Sequence, residues 1–223
     1  MKIGVIGTGN IGGTVARKLS GAGHDVRVAN SRGMEGVRAF ANEIGATAVD
    51  TRGAVKGVGL IVISIPFPAV AELPKDLFDT VPQDVPVIDT GNYYPQRDGN
   101  LSELDTGALT SSGLLQRYLP DAHVVKVFNN IFFKHLRWLA RPHGAEDRSA
   151  LPIAGDSEPA KAAVTAFLDS IGYDAVDAGS LADSWRQEPG TPVYGTPYGP
   201  FSDEVGTPAG AARIHADLVG AHR

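Results

Sequence analysis

Short apolar runs alternate with stretches of helical periodicity through about the first 130 residues, the arrangement of successive βαβ units on a parallel sheet. The spacing predicts strands over Lys2 to Ile6, Asp25 to Ala29, Ala46 to Val49, Leu60 to Ile65, Val85 to Asp89 and His123 to Phe128. The fourth, Leu60-Ile61-Val62-Ile63-Ser64-Ile65, is almost wholly apolar, as expected of a central strand covered on both faces. Helices are predicted from Ile11 to Ala22, from Met34 to Ile44 with Gly45 as terminator, briefly after Asp50, from Pro68 to Phe78, and from Ser111 to Tyr118. Pro74 lies inside the fourth of these and should kink or shorten it.

After Phe128 the pattern changes. A polar stretch near Arg141 to Ser149 precedes a strand at Leu151 to Ala154, a helix from Ser157 to Ile171 with Pro159 in its first turn, a strand at Ala175 to Ala178 and a helix near Leu181 to Gln187. Glu188 to Gly210 carries five prolines and five glycines and is expected to be an ordered loop or arm rather than a regular element. Thr207 and Pro208 are positioned to start a terminal helix running to Ala221. The expected class is α/β. A Rossmann-type doubly wound parallel sheet occupies residues 1–130, and a small α+β C-terminal domain or extension with the Gly/Pro-rich arm occupies residues 131–223.

Composition narrows the function classes. Apolar residues at 43% and charged residues at 20% are ordinary for a packed, water-soluble protein. A net charge of -5 with interspersed signs offers no basic stripe for nucleic acid, so no such partner is expected. The absence of cysteine excludes disulfides and thiolate chemistry, and the six histidines show no metal-ligand spacing. No segment has the apolar length of a membrane span and the N-terminus does not read as a signal peptide, so a cytoplasmic protein is expected.

The strongest chemical signal is Gly7-Thr8-Gly9-Asn10-Ile11-Gly12, set between the first strand and the first helix. Gly7 suits the tight turn, Gly9 the approach of a pyrophosphate to the backbone, and Gly12 close helix packing, while the helix N-terminus supplies positive potential. An NAD site places a carboxylate at the end of the second strand; here stand Asn30, Ser31 and Arg32, so the 2′-phosphate of NADP(H) is favoured. Ser64, Pro66, Phe67 and Asn129, in loops at the carboxyl ends of later strands, are candidates to line the nicotinamide half. Asp89 reads equally as a strand-end cap or a functional carboxylate, and Asn129-Asn130 as amide contacts or a turn. No histidine is assigned a catalytic role. Trp185, Tyr194, Tyr198 and Phe201 suggest that the arm packs over a site on the acceptor side or across a subunit boundary.

These segments resemble the NADP oxidoreductases dependent on coenzyme F420, a 5-deazaflavin, and the reductase domain of the STEAP metalloreductases. The similarity runs through Ile6 to Gly12, Asn30-Ser31-Arg32, Ser64-Ile65-Pro66, Val124 to Asn129, Ile153-Ala154-Gly155-Asp156 and Asp177-Ala178-Gly179. It implies hydride transfer between NADP(H) and a flavin-like ring (F420, or FMN or FAD), with a homodimer as the usual assembly. Where deazaflavin enzymes carry a histidine and a proline after the sixth strand, this chain has Asn129 and Phe132, and the Tyr93-Tyr94 loop and the long arm have no counterpart. Two rival readings stand beside this one. They are an NADPH-dependent reductase of a small imine or carbonyl, which usually needs a longer helical C-terminal domain, and a non-catalytic NADP(H) sensor.

Overall fold

The computed structural model describes residues 1–223 and contains one eight-stranded sheet. Its strands are β1 (Lys2–Ile6), β2 (Asp25–Ala29), β3 (Thr47–Ala48), β4 (Leu60–Ile63), β5 (Pro86–Asp89), β6 (His123–Lys126), β7 (Ala150–Gly155) and β8 (Asp174–Asp177). They lie in the order β3-β2-β1-β4-β5-β6-β7-β8. All neighbours are parallel except β6 and β7, where Val125 faces Gly155 and Lys126 faces Ala154 in antiparallel register. The first six strands therefore have the doubly wound Rossmann order, whose switch point falls between β1 and β4.

Side-chain alternation along the strands divides the core between two faces. On one face Ile3, Val5, Leu60, Val62 and Ile88 are buried beneath α1 (Asn10–Gly21) and α2 (Gly33–Ile44). On the other, Ile61, Ile63, Val87 and Val124 pack against α3 (Thr51–Val55) and, after the short α4 (Pro95–Asp98) and α5 (Ser102–Asp105), against α6 (Ser111–Tyr118). Local chemistry sets the helix ends, with Gly45 in its expected place. Asp50 caps α3 through Gly53 N–H, Thr110 caps α6, and Gly45 ends α2 at φ 72°.

The segment after residue 130 shares this architecture. Beyond α7 (Phe133–Trp138), β7 and β8 extend the same sheet, and α8 (Glu158–Ser170) and α9 (Ala211–Val219) continue the layer begun by α1 and α2. Val164, Leu168, Ile214 and Leu218 join Val15, Leu19 and Val125 in one buried cluster. The expected boundary near residue 130 thus falls inside a continuous sheet and a continuous core.

Several expected elements differ. The helix expected from Pro68 to Phe78 is a 3-10 helix over Phe67–Glu72 followed by turns, because Pro66, Pro68 and Pro74 restrict the backbone and remove donors. Strand four ends at Ile63 and strand six at Lys126, before the chain turns into the site. Leu181–Gln187 is 3-10, and the terminal helix begins at Ala211 because the chain stays extended as far as Gly210. The helices α4, α5 and α7 had no clear periodic signal at their short lengths. No helix is long and apolar enough to cross a membrane.

Leu168 is fully buried in α8, within the cluster that spans both segments. Leu168→Ala should cost roughly 2 to 5 kcal/mol, the range for such truncations. It should do so through one urea transition, coincident by far-UV circular dichroism and tryptophan fluorescence. Two separated transitions would contradict a shared core.

Candidate active site

The carboxyl ends of β1, β2 and β4 meet at the glycine-rich turn. Gly7 has φ 100° and its N–H bonds to Ala29 O at 2.8 Å; a Cβ there would stand 2.1 Å from Ser64 O. A Cβ on Gly12 would stand 2.1 Å from Gly7 O, so these two glycines let α1 press onto the strand ends. Gly9 is different: a Cβ there would meet nothing within 4 Å. Above it the N-terminus of α1 has no side-chain cap and no acidic residue in its first turn. The first bond into the helix is Gly13 N–H to Gly9 O, so the preceding amides are free for an anion.

Asn30 ties this turn to the next. Its Nδ2 donates to Thr8 Oγ1 at 3.1 Å, and its Oδ1 accepts from Arg32 N–H at 2.9 Å. Ser31 and Arg32 are exposed at the start of α2, and no acidic side chain pairs with the Arg32 guanidinium. The residues fit a phosphorylated dinucleotide: an open cradle at Gly9, free amides at α1, no carboxylate at Asn30, and a hydroxyl and an available guanidinium beside it.

The other half of the site hangs from the ends of β5 and β6. Phe128 is the only non-glycine residue with positive φ, at 68°, and it is wholly buried with its ring edge-on to Phe167. This left-handed turn sends Asn129 and Asn130 into the protein rather than along the strand. Asn129 Nδ2 donates to Asn92 Oδ1 at 2.9 Å and to Gln187 O at 2.7 Å, and Asn129 Oδ1 accepts from Gln187 Nε2 at 2.9 Å. Asn130 Nδ2 donates to Val193 O at 3.0 Å, while Asn130 O accepts from Gly195 N–H at 2.8 Å. The β5 loop and the C-terminal arm are both fastened here.

Beneath them lies Lys126, fully buried, its ammonium donating to Gly91 O at 3.0 Å, Ser111 Oγ at 2.7 Å and Ser112 Oγ at 3.0 Å. Asp89 accepts from Gly91 N–H and from Ser112 Oγ, and stands 4.0 Å from the ammonium. Asp89 therefore acts as the strand-end cap, with both oxygens committed to the protein.

These loops enclose a cavity of about 470 Å³ that opens at the α1 N-terminus. Asn10 and Ile11 form its floor side, Thr90, Asn92, Tyr94 and Arg97 come from the β5 loop, and Asn129 to Phe133 follow β6. Tyr194 and Phe201 of the arm complete the wall. The arm is fixed by Tyr198, wholly buried with its hydroxyl donating to Ala150 O at 2.8 Å, and by a hydrogen bond between His135 Nε2 and Asp203 O. A more polar groove of about 750 Å³ runs along the other side of α1 and meets the cavity at Asn10 and Phe133. There Arg17 pairs with Glu43 and Lys134 with Glu204, and burial lowers Lys18 to about 8.

The structure thus brings together Gly7, Thr8, Gly9, Asn10, Ile11, Gly12, Asn30, Ser31 and Arg32 around one turn, with Asn129 in the adjoining cavity. Ser64 is half-buried under Gly12 and accepts from Thr90 Oγ1 at 2.9 Å. Pro66 is exposed at the rim, whereas Phe67 is buried edge-on against Tyr93 at 5.9 Å and supports the β5 loop instead of covering an open ring site. Arg97, Lys126 and Gln187 carry no local signal of a role in the sequence, whereas Tyr94 stands out there as part of the Tyr93-Tyr94 loop after a central strand.

The fold and this geometry define a Rossmann-type dinucleotide site opening into an aromatic second cavity. Residues 2–93 match the family described as NADP oxidoreductase, coenzyme F420-dependent. The protein YjhV of Escherichia coli (strain K12) is 42% identical over 53 residues, a stretch that covers 24% of this chain and 39% of that protein. The hypothetical protein SMa0349 of Sinorhizobium meliloti superposes with a TM-score of 0.70 at 25% identity, covering 86% of this chain and 93% of the other. A provisionally assigned F420-dependent NADP-reductase from Arthrobacter sp. FB24 gives 0.66 at 22% identity, with coverages of 83% and 87%. The match to the NADP oxidoreductases lies in the N-terminal part of this chain, and the superpositions extend the likeness of fold to most of it.

Asn129→Ala removes a buried amide and leaves Asn92 Oδ1 and Gln187 Nε2 short of a partner. A loss of about 1 to 3 kcal/mol in chemical denaturation is expected. Amide hydrogen exchange should quicken in residues 91–94 and 187–195 together. Faster exchange in only one of the two segments would show that Asn129 does not couple them.

Proposed function

We propose that the chain is an NADP(H)-dependent oxidoreductase that transfers a hydride between NADP(H) and a flavin-like ring, coenzyme F420 or a flavin, held in the aromatic cavity. The observation that carries this reading is the cavity itself. It opens directly at the α1 N-terminus, its volume suits a small-molecule ring system, and its lining contains no carboxylate and no imidazole. Transfer between two rings needs alignment and exclusion of water more than a carboxylate or imidazole catalyst.

The chain's own residues account for each part of that task. Gly9 and the amides of Asn10 and Ile11 offer a seat for the pyrophosphate, and Ser31 and Arg32 for the 2′-phosphate. Asn130 lines the cavity with its side-chain amide held by Val193 O of the arm, which keeps this wall in place. Ile11, Ile131, Phe132, Phe133 and Phe201 provide apolar surface for a planar ring. Bound NADPH would supply the hydride.

Arg32→Ala should weaken NADPH by roughly 1.5 to 3 kcal/mol, the range for hydrogen bonds to charged groups, or about 10- to 150-fold in Kd. NADH, which lacks the phosphate, should be almost unaffected. Asn30→Asp keeps the acceptor for Arg32 N–H but loses the donor to Thr8. It should weaken NADPH further through repulsion and improve NADH relative to it. Calorimetric titration of both cofactors into wild type and variants checks this, and an equal loss for NADPH and NADH would remove the phosphate role. NADPH oxidation with coenzyme F420, FMN, FAD and small carbonyls then identifies the acceptor. Tight NADPH binding without turnover on any of them would replace the enzyme reading with that of a sensor.

A further inference from the structure

Two tyrosines 100 positions apart in the sequence meet on the wall of the cavity. Tyr94 Oη lies 2.5 Å from Tyr194 Oη, and neither hydroxyl has another protein partner. Whichever hydroxyl donates within the pair, the other keeps an O–H with no protein acceptor, on the wall of the cavity.

The pair is held firmly. The Tyr94 N–H donates to Asp98 Oδ2 at 2.9 Å, and the Arg97 guanidinium, forked onto Asp98, stands 4.7 Å from the Tyr94 ring centroid. On the arm, Asn130 grips Val193 O and Gly195 N–H, the residues on either side of Tyr194. Burial and the hydrogen bond with Tyr94 raise Tyr194 well above the usual tyrosine range, so it carries its proton at neutral pH. The nearby Arg97 guanidinium opposes that rise and favours transient negative charge on the pair.

We propose that Tyr94 and Tyr194 form a proton-donating dyad for the acceptor in this cavity, a planar conjugated ring whose hydride-accepting atom is conjugated to a ring nitrogen or carbonyl oxygen. The inference rests on the oxidoreductase reading above. The hydride brings two electrons and one hydrogen to the electrophilic ring atom, and NADPH becomes NADP⁺. The displaced electron pair moves to the conjugated heteroatom. There a new bond to hydrogen forms as the O–H bond of the facing tyrosine breaks. That tyrosine regains a proton from its partner, and the pair regains one from solvent, so NADPH, acceptor and one proton give NADP⁺ and the reduced acceptor. The two hydroxyls supply what the lining lacks in carboxylates and imidazoles.

The test compares wild type, Tyr94→Phe, Tyr194→Phe and the double variant, which keep the rings and remove only hydroxyls. With saturating NADPH and coenzyme F420, the double variant should lose on the order of 10²- to 10⁴-fold in kcat, the usual contribution of a positioned acid. Each single variant keeps one hydroxyl and should lose less. The solvent deuterium effect on wild-type turnover should change in the double variant. Independently of turnover, calorimetry on the NADP⁺-loaded protein should show oxidised F420 bound roughly 3- to 10-fold more weakly by the double variant, with NADP⁺ affinity unchanged. A kcat within about three-fold of wild type, far below the range for acid catalysis, would mean that the hydroxyls only clasp the arm, and overturns the dyad alone. Failure of the wild type itself to reduce F420, FMN or FAD overturns the oxidoreductase reading and the dyad with it.

Discussion

The left-handed turn at Phe128 is the constraint on which the rest of the site depends. A bulky residue at φ 68° costs on the order of 1 to 3 kcal/mol, and it persists because the ring is buried and the following amides are committed. Were β6 to continue straight, Asn129 and Asn130 would alternate across the sheet. Instead both turn inward, and their hydrogen bonds join a loop from the middle of the chain to an arm near its end. Leaving such buried amides unpaired costs more than each bond contributes when made, so the two segments are held to one arrangement.

That arrangement divides the molecule's polar chemistry in two. At β1 and β2 the polar groups face outward. Gly9 leaves the cradle open, α1 is uncapped, and Arg32 is left without an acidic partner, which suits a charged cosubstrate that arrives from water. At β5 and β6 they face inward: Lys126 and Asp89 share Ser112, and Asn129 pairs with Gln187, so the aromatic side chains of the cavity wall sit over no orphaned charge. The arm closes this second half by packing Tyr198 against β7 and hydrogen bonding to His135, which explains how a segment so rich in proline and glycine is ordered within one chain.

Much of the fold was legible because it rests on local patterns. Alternating apolar runs placed the strands, and Gly7, Gly9 and Gly12 between a strand and a helix marked the nucleotide turn. The missing acid at Asn30 was readable for the same reason. What stayed hidden depends on contacts between residues far apart in sequence. Lys126 reads as a polar position in an apolar strand, yet its ammonium is neutralised by loops that come together only in the fold. Gln187 and Asn129 meet across 58 positions, and Tyr94 and Tyr194 across 100. Phe67 shows the converse: between two prolines it is a candidate to line the nicotinamide half, yet its ring is buried against Tyr93.

A crystal structure of the NADP⁺ complex should show the 2′-phosphate against Ser31 and Arg32, the pyrophosphate over Gly9, and the nicotinamide at the mouth of the cavity beside Ile11 and Asn130, facing the space enclosed by Tyr94, Tyr194 and Phe201. A nicotinamide lying in the polar groove beside Arg17 and Lys134, with the aromatic cavity unapproached, would contradict this placement.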